Sequence, residues 1–128
     1  MRLNSDCVRD ILLTVEDVVD FDNCLTYEKN SHSFERLLSY SHDELIYHIH
    51  QCKLANLIIG VSYYDGGDYL IIQDLSPKGH EFLENIRSEN IWNHTKLVAG
   101  KVGSYSLNSL TTIATGVLTQ LISQQLGS

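Results

Sequence analysis

The sequence predicts an α+β fold: a helix, a strand, two helices and a hairpin, then a helix and a helical extension. The stretch from Ser31 to Asp74 carries most of this. It reads SHSFERLLSY, then SHDELIYHIHQCKLANLI, then IGVSYYDGGDYLIIQD. In the second segment Leu45, Ile49 and Cys52 recur at i, i+4 and i+7 with Ile46 beside them, so one helix face is apolar. Leu57 to Tyr64 and Tyr69 to Asp74 are rich in Ile, Val and Tyr. They flank Asp65-Gly66-Gly67-Asp68, which is the pattern of a β-hairpin. Helix, helix, hairpin is the order of a winged helix-turn-helix. The expected organisation is a winged-helix-like domain over 1–103. An amphipathic helix over 104–128 would pack on it or on a second copy.

Taken in order, Asn4 or Ser5 caps a first helix, and Asp6 suits its first turn. Val8, Ile11, Leu12, Val15, Val18 and Val19 form its apolar stripe. Glu16, Asp17, Asp20 and Asp22 oppose the dipole at its end, so the helix stops near Val19 or Asp20. These acids read as a solvated edge, since nothing in their spacing fixes a metal geometry. Cys24 to Tyr27 is a short strand. Ser33 starts a helix through Tyr40 with Phe34, Leu37 and Leu38 inward. Ser41 starts the next, and Glu44 completes a capping box. Lys53 to Asn56 closes it.

Ser76-Pro77 is a cap followed by proline at the first helical position. Phe82, Leu83 and Ile86 supply that helix's buried side. Ser88-Glu89-Asn90 interrupts it, Ile91 and Trp92 resume the pattern, and Gly100 and Gly103 mark a second break. The last helix starts near Ser104 or Ser106. Leu107, Leu110, Ile113, Ala114, Val117, Leu118, Leu121 and Ile122 give it a wide apolar side. A face that wide predicts either packing on the first helix or a homodimer. Gly127-Ser128 fits a cloning remnant as well as a native end.

The chain has 128 residues and a formal charge of −7, from 9 Lys and Arg against 16 Asp and Glu. Nucleic-acid affinity rests on cations meeting phosphates; an acidic total still allows a local basic face, such as one near Lys78, Arg87, Lys96 and Lys101, so position decides. Cys7, Cys24 and Cys52 are odd in number and widely spaced, which predicts free thiols and a cytoplasmic setting. No apolar run is long enough for a membrane span, and no signal region follows Met1.

Three stretches carry a resemblance. LNSDCVRDILLTVE, YHIHQCKLANLI and DLSPKGHEFLENIRSENIWNHTK resemble a family of small phage and prophage proteins known as a domain of unknown function. The likeness runs from Leu3 to about Leu121. It implies a cytoplasmic bacterial or phage-encoded protein and carries over no catalytic residue. Leu75-Ser76-Pro77-Lys78-Gly79 is also similar to the strand-to-helix junction after the wing in winged-helix regulators.

A DNA-binding regulator would read DNA with the helix from Ser41 to Asn56. With Leu45, Ile49 and Cys52 inward, its outward residues are Asp43, Glu44, Tyr47, His50 and Gln51. Gln51 suits adenine, but no arginine is there for guanine. Asp65 and Asp68 occupy the wing tip. Between Ser41 and Leu75 a single cation, Lys53, faces five acids, a net of −4. DNA binding is therefore the alternative reading. The favoured one is a non-enzymatic module that binds a host protein. Its contact residues would be Asp43, Glu44, Tyr47, His50, Gln51, Tyr63, Tyr64, Asp65, Asp68 and Tyr69, with tyrosines suited to an interface. His48 and Cys52 have a zinc-compatible spacing that His80 or Cys24 would have to complete. Without a CxxC or HExxH motif they read instead as a boundary histidine and a buried small hydrophobe. No cofactor, metal or catalytic group is expected. Gly66-Gly67 joins two strands and opens no helix, so it is no phosphate loop.

Overall fold

The computed structural model describes residues 1–127; Ser128, half of the terminal dipeptide, lies outside them. The fold is mixed α+β, with five α-helices and two small antiparallel sheets. The chain divides into two compact units, Met1–His80 and the residues from Glu81 onward.

In the first unit α1 (Ser5–Val18) begins at Asn4, whose side chain accepts from the Asp6 and Cys7 amides. Cys7, Val8, Ile11, Leu12 and Val15 are buried, as the helical stripe requires. β1 (Leu25–Glu28) follows. α2 (His42–Leu54) carries the expected capping box: the Glu44 amide donates to Ser41 Oγ, and the Ser41 amide donates to the Glu44 carboxylate. Leu45, Ile49 and Cys52 point into the core.

Between β1 and α2 the structure corrects the sequence. The helix expected from Ser33 to Tyr40 is one 3₁₀ turn, Glu35–Leu37. Its capping position is Phe34, with no side-chain bond to its amides, so a costly nucleus goes unsupported. Leu37 is buried but Leu38 is exposed. The segment is held instead by side chains reaching α1. Tyr40 Oη donates to Asp10 Oδ2 at 2.7 Å, and Arg36 pairs with Asp17. Burial, and then the bond to Asp10, push the Tyr40 phenol above its ordinary value.

The hairpin forms, but it is broken in both arms. β2 (Ile58–Ile59) and β3 (Ser62–Tyr64) are separated at Gly60, where φ is +65°. β4 (Tyr69–Ile72) and β5 (Asp74–Leu75) are separated at Gln73. A Cβ at Gly60 would collide with the Gln73 side chain, so the two interruptions lock together. The result is a three-stranded sheet in the order β1-β4-β3 and a separate β2-β5 pair. The pairing of Leu25 with Ile72 and Tyr27 with Leu70 puts all four buried residues on one side. Thr26, Glu28, Tyr69 and Ile71 fall on the other by strand alternation.

α3 (Pro77–Ile86) opens where Ser76-Pro77 placed it. Its first turn is clamped to the loop after α2. Ser76 Oγ donates to the Asn56 carbonyl and accepts from the Gly79 amide, and the Ser76 amide donates to the Leu57 carbonyl.

In the second unit α4 (Glu89–Val102) restarts after Ser88 and ends at Gly103, whose φ of +82° makes a left-handed cap. α5 (Leu107–Leu126) is capped by Ser106, which accepts from the Ser109 amide. Leu107, Leu110, Ala114 and Val117 are buried and pack α5 along α4. Leu121, Ile122 and Leu126, further along, are exposed. Thr111, Thr112, Thr115 and Thr119 each donate a hydroxyl to the carbonyl four residues back. From Leu107 to Leu126 the helix has no charged residue.

Candidate functional site

The outward side of α2 and the β3–β4 turn enclose an open groove of about 610 Å³. The turn is one 3₁₀ step, Asp65–Gly67, with positive φ at Asp65, Gly66 and Gly67. Two glycines make that path affordable. It ends with the Asp68 carbonyl accepting from the Lys29 amide at 2.8 Å. α2 contributes His42, Asp43, Ile46, Tyr47 and His50 to the groove. Their spacing of one and four residues is that of one helix face. Gly66, Asp68, Lys29 and Met1 complete it.

Its best-defined polar feature is a chain of bonds beginning in the core. Tyr27 is 1% exposed, and its Oη lies 2.7 Å from His42 Nδ1. The two rings stack with centroids 5.6 Å apart. His42 Nε2 faces Asp68 Oδ1 at 3.4 Å. With Tyr27 Oη donating, His42 accepts at Nδ1 and turns Nε2 toward Asp68. Burial, and then the charge of Asp68, push the Tyr27 phenol above its ordinary value, so it remains a donor. Asp68 closes the chain on the turn side with a half-exposed carboxylate.

The expected contact residues divide. Asp43, Tyr47, His50 and Asp68 meet in the groove. Tyr63 on β3 lies outside the groove lining but touches it through His50, its Oη 3.3 Å from His50 Nδ1 and its ring under Lys53 Nζ at 5.5 Å. Tyr64 and Tyr69 pack on each other, centroids 5.7 Å apart, across the β3–β4 ladder. Tyr69 and Asp65 line an adjoining concavity with Glu28, Lys29, Asn30 and Asp68. Glu44 is spent on the α2 cap, and Gln51 is half-buried on α2 outside the groove.

Sequence reasoning missed Tyr27, His42 and Lys29. Tyr27 and His42 are joined only by the fold, and no spacing rule signals a strand residue meeting a helix start. His48 is not a boundary residue but 1% exposed. Its Nδ1–H donates to the Glu44 carbonyl and its Nε2 accepts from the Asn4 amide, each at 2.7 Å. Both ring nitrogens therefore serve the backbone, which leaves neither for zinc. Cys52 is fully buried, and burial raises its thiol well above the ordinary value. Burial, then Glu44 and Asp10, push the Cys7 thiol up to about 12. These thiols are packing groups. Among the described residues no set of three or more His, Cys, Asp or Glu is placed to hold a metal. Among them also, no helix is long and apolar enough to cross a membrane.

The fold and groove define a small α+β protein with an acidic, aromatic-walled cleft beside a glycine turn. The chain belongs to the family described as hypothetical protein (DUF2513), whose model matches residues 2–106. It is similar to an uncharacterized protein of Haemophilus influenzae (strain ATCC 51907 / DSM 11121 / KW20 / Rd), 26% identical over 124 residues. That match covers 95% of this chain and 99% of the relative. No solved structure matches.

Proposed function

We propose that the chain is a non-enzymatic interaction module of phage or prophage origin. In this reading its first unit is a winged-helix variant, and the groove side of α2 with the turn binds a basic surface on a host protein. The element order and the β1-β4-β3 sheet support the winged-helix reading. One observation carries the choice of a protein over DNA. The groove and its adjoining concavity carry Glu28, Asp43, Asp65 and Asp68 against Lys29 and the Met1 amine. A helix presented to DNA needs cations there.

The test uses fluorescence anisotropy against the gene's own upstream DNA at low and physiological salt. No sequence-selective complex is expected at physiological salt. A tight selective complex that survives it makes the chain a DNA-binding regulator and defeats this reading. In parallel, Asp43→Lys combined with Asp68→Asn should abolish recovery of whatever host protein the unmodified chain captures. Glu44 is left alone, because its loss would remove one of the two bonds of the α2 capping box.

A second observation supports self-association. Leu121, Ile122 and Leu126 are exposed on a helix without charge, in a chain of net −7. Two copies meeting there escape the like-charge repulsion that the rest of the surface imposes. We infer that the far half of α5 docks on a second copy. Sedimentation at micromolar concentration should give a dimer mass, and Leu121→Glu with Ile122→Glu should give a monomer that stays folded. A monomer from the unmodified chain rejects the dimer.

A further inference from the structure

We propose that the groove is an arginine receptor: it takes the guanidinium of one arginine side chain from the protein partner. This rests on the reading of the groove as a protein-binding surface and names what that surface recognises. Asp43 stands on the α2 side of the groove, and Asp68 on the turn side. A planar cation entering between them has carboxylates to meet on both walls. A guanidinium offers donors along two edges, whereas an ammonium is a point charge.

The remaining walls suit the same side chain. Tyr47 and His50 line the groove, and rings of their kind are ones on which guanidinium groups stack. Ile46 offers apolar surface to the methylene stem. Gly66 keeps the mouth open, since even a Cβ placed there meets no atom within 4 Å. Asp68 stands 3.4 Å from His42, which is itself held by Tyr27, so the turn-side carboxylate lies beside a fixed ring. Lys29 and the Met1 amine are outnumbered by Asp43 and Asp68 together with Glu28 and Asp65 of the adjoining concavity, which keeps the local potential negative.

The test is a titration of the full-length chain, followed by ¹H–¹⁵N NMR at physiological salt. The probes are acetyl-Gly-Arg-Gly-Arg-Gly-amide, its lysine counterpart and its citrulline counterpart. The arginine peptide should produce saturable shifts centred on His42, Asp43, Tyr47, His50 and Asp68. The lysine peptide should bind about tenfold more weakly, the weight of roughly one charge-assisted hydrogen bond. The citrulline peptide, lacking charge, should not saturate. Asp43→Asn with Asp68→Asn should lose the arginine preference while keeping a dispersed spectrum, and Glu84→Gln, remote in sequence, should keep it.

Equal binding of the arginine and lysine peptides overturns the proposal. So do shifts that spread without saturation to Asp20, Asp22 and Glu84, or the absence of saturable shifts at millimolar peptide. The two readings fail separately. Selective DNA binding defeats the protein-partner reading. A chain that ignores DNA and loses its partner on charge reversal, yet treats arginine and lysine alike, defeats only the arginine assignment.

Discussion

Gly79→Ala should lower folding stability by about 3 kcal/mol, at the upper end for forcing one carbon into a packed site. Gly79 lies in the first turn of α3, where its added Cβ would overlap the backbone carbonyl oxygen of Leu57. That oxygen is no flexible tip. It accepts the Ser76 amide at 3.0 Å, and Ser76 Oγ in turn holds the Gly79 amide and the Asn56 carbonyl. Asn56 is itself in the left-handed region, with φ of +60°. Moving α3 away to admit a methyl therefore strains the clamp that ends α2 and starts α3. Urea unfolding followed by circular dichroism measures the loss. Gly116→Ala is the matched control, because that helical glycine has open space around its Cβ position. Alanine there should be neutral or add up to about 1 kcal/mol through helix propensity. Equal behaviour of the two variants would show that α3 is not seated as tightly as described.

His48→Ala should cost about 2–4 kcal/mol, because it strips partners from two backbone groups near the core. The imidazole joins the start of α1 to the middle of α2 through the Asn4 amide and the Glu44 carbonyl. Alanine leaves the Asn4 donor unmatched and opens a cavity where a side chain only 1% exposed had stood. His48→Gln offers an amide that donates and accepts at similar reach, so it should recover part of the loss. Thermal unfolding of the three proteins orders them native, Gln, Ala. A Gln variant no better than Ala would mean that ring packing, not the paired bonds, is what His48 contributes.

Much of the fold was legible because local chemistry and tertiary packing agree there. Asn4, Ser41 and Ser106 cap the helices they were expected to start, and the α2 face of Leu45, Ile49 and Cys52 is buried as its spacing requires. The segment around Glu35 misled because its apolar residues fit a helix while nothing caps it, and bonds from Tyr40 and Arg36 to α1 decide its path. The division of the hairpin was hidden for a related reason. Gly60 signalled a weak point, but only the fold shows Gln73 meeting it. Of the site, the acids and tyrosines of α2 and the turn were readable as outward residues. The chain from Tyr27 through His42 to Asp68 was not, because it joins residues 15 apart across β1 and α2 before reaching the turn.

The threonine bonds of α5 change what that helix shows to water. Thr112, Thr115 and Thr119 are exposed, yet each hydroxyl proton is turned back onto its own backbone. Those protons are withheld from water, so this side of α5 is a poorer donor than its composition suggests. The molecule thus owns surfaces that answer to ionic strength in opposite senses. Added sulfate mutes the field of the acidic groove, and it also makes exposed methyl and leucine groups costlier to hydrate. On the proposed reading salt would act as a selector, loosening a cationic partner in the groove while tightening a second copy against α5.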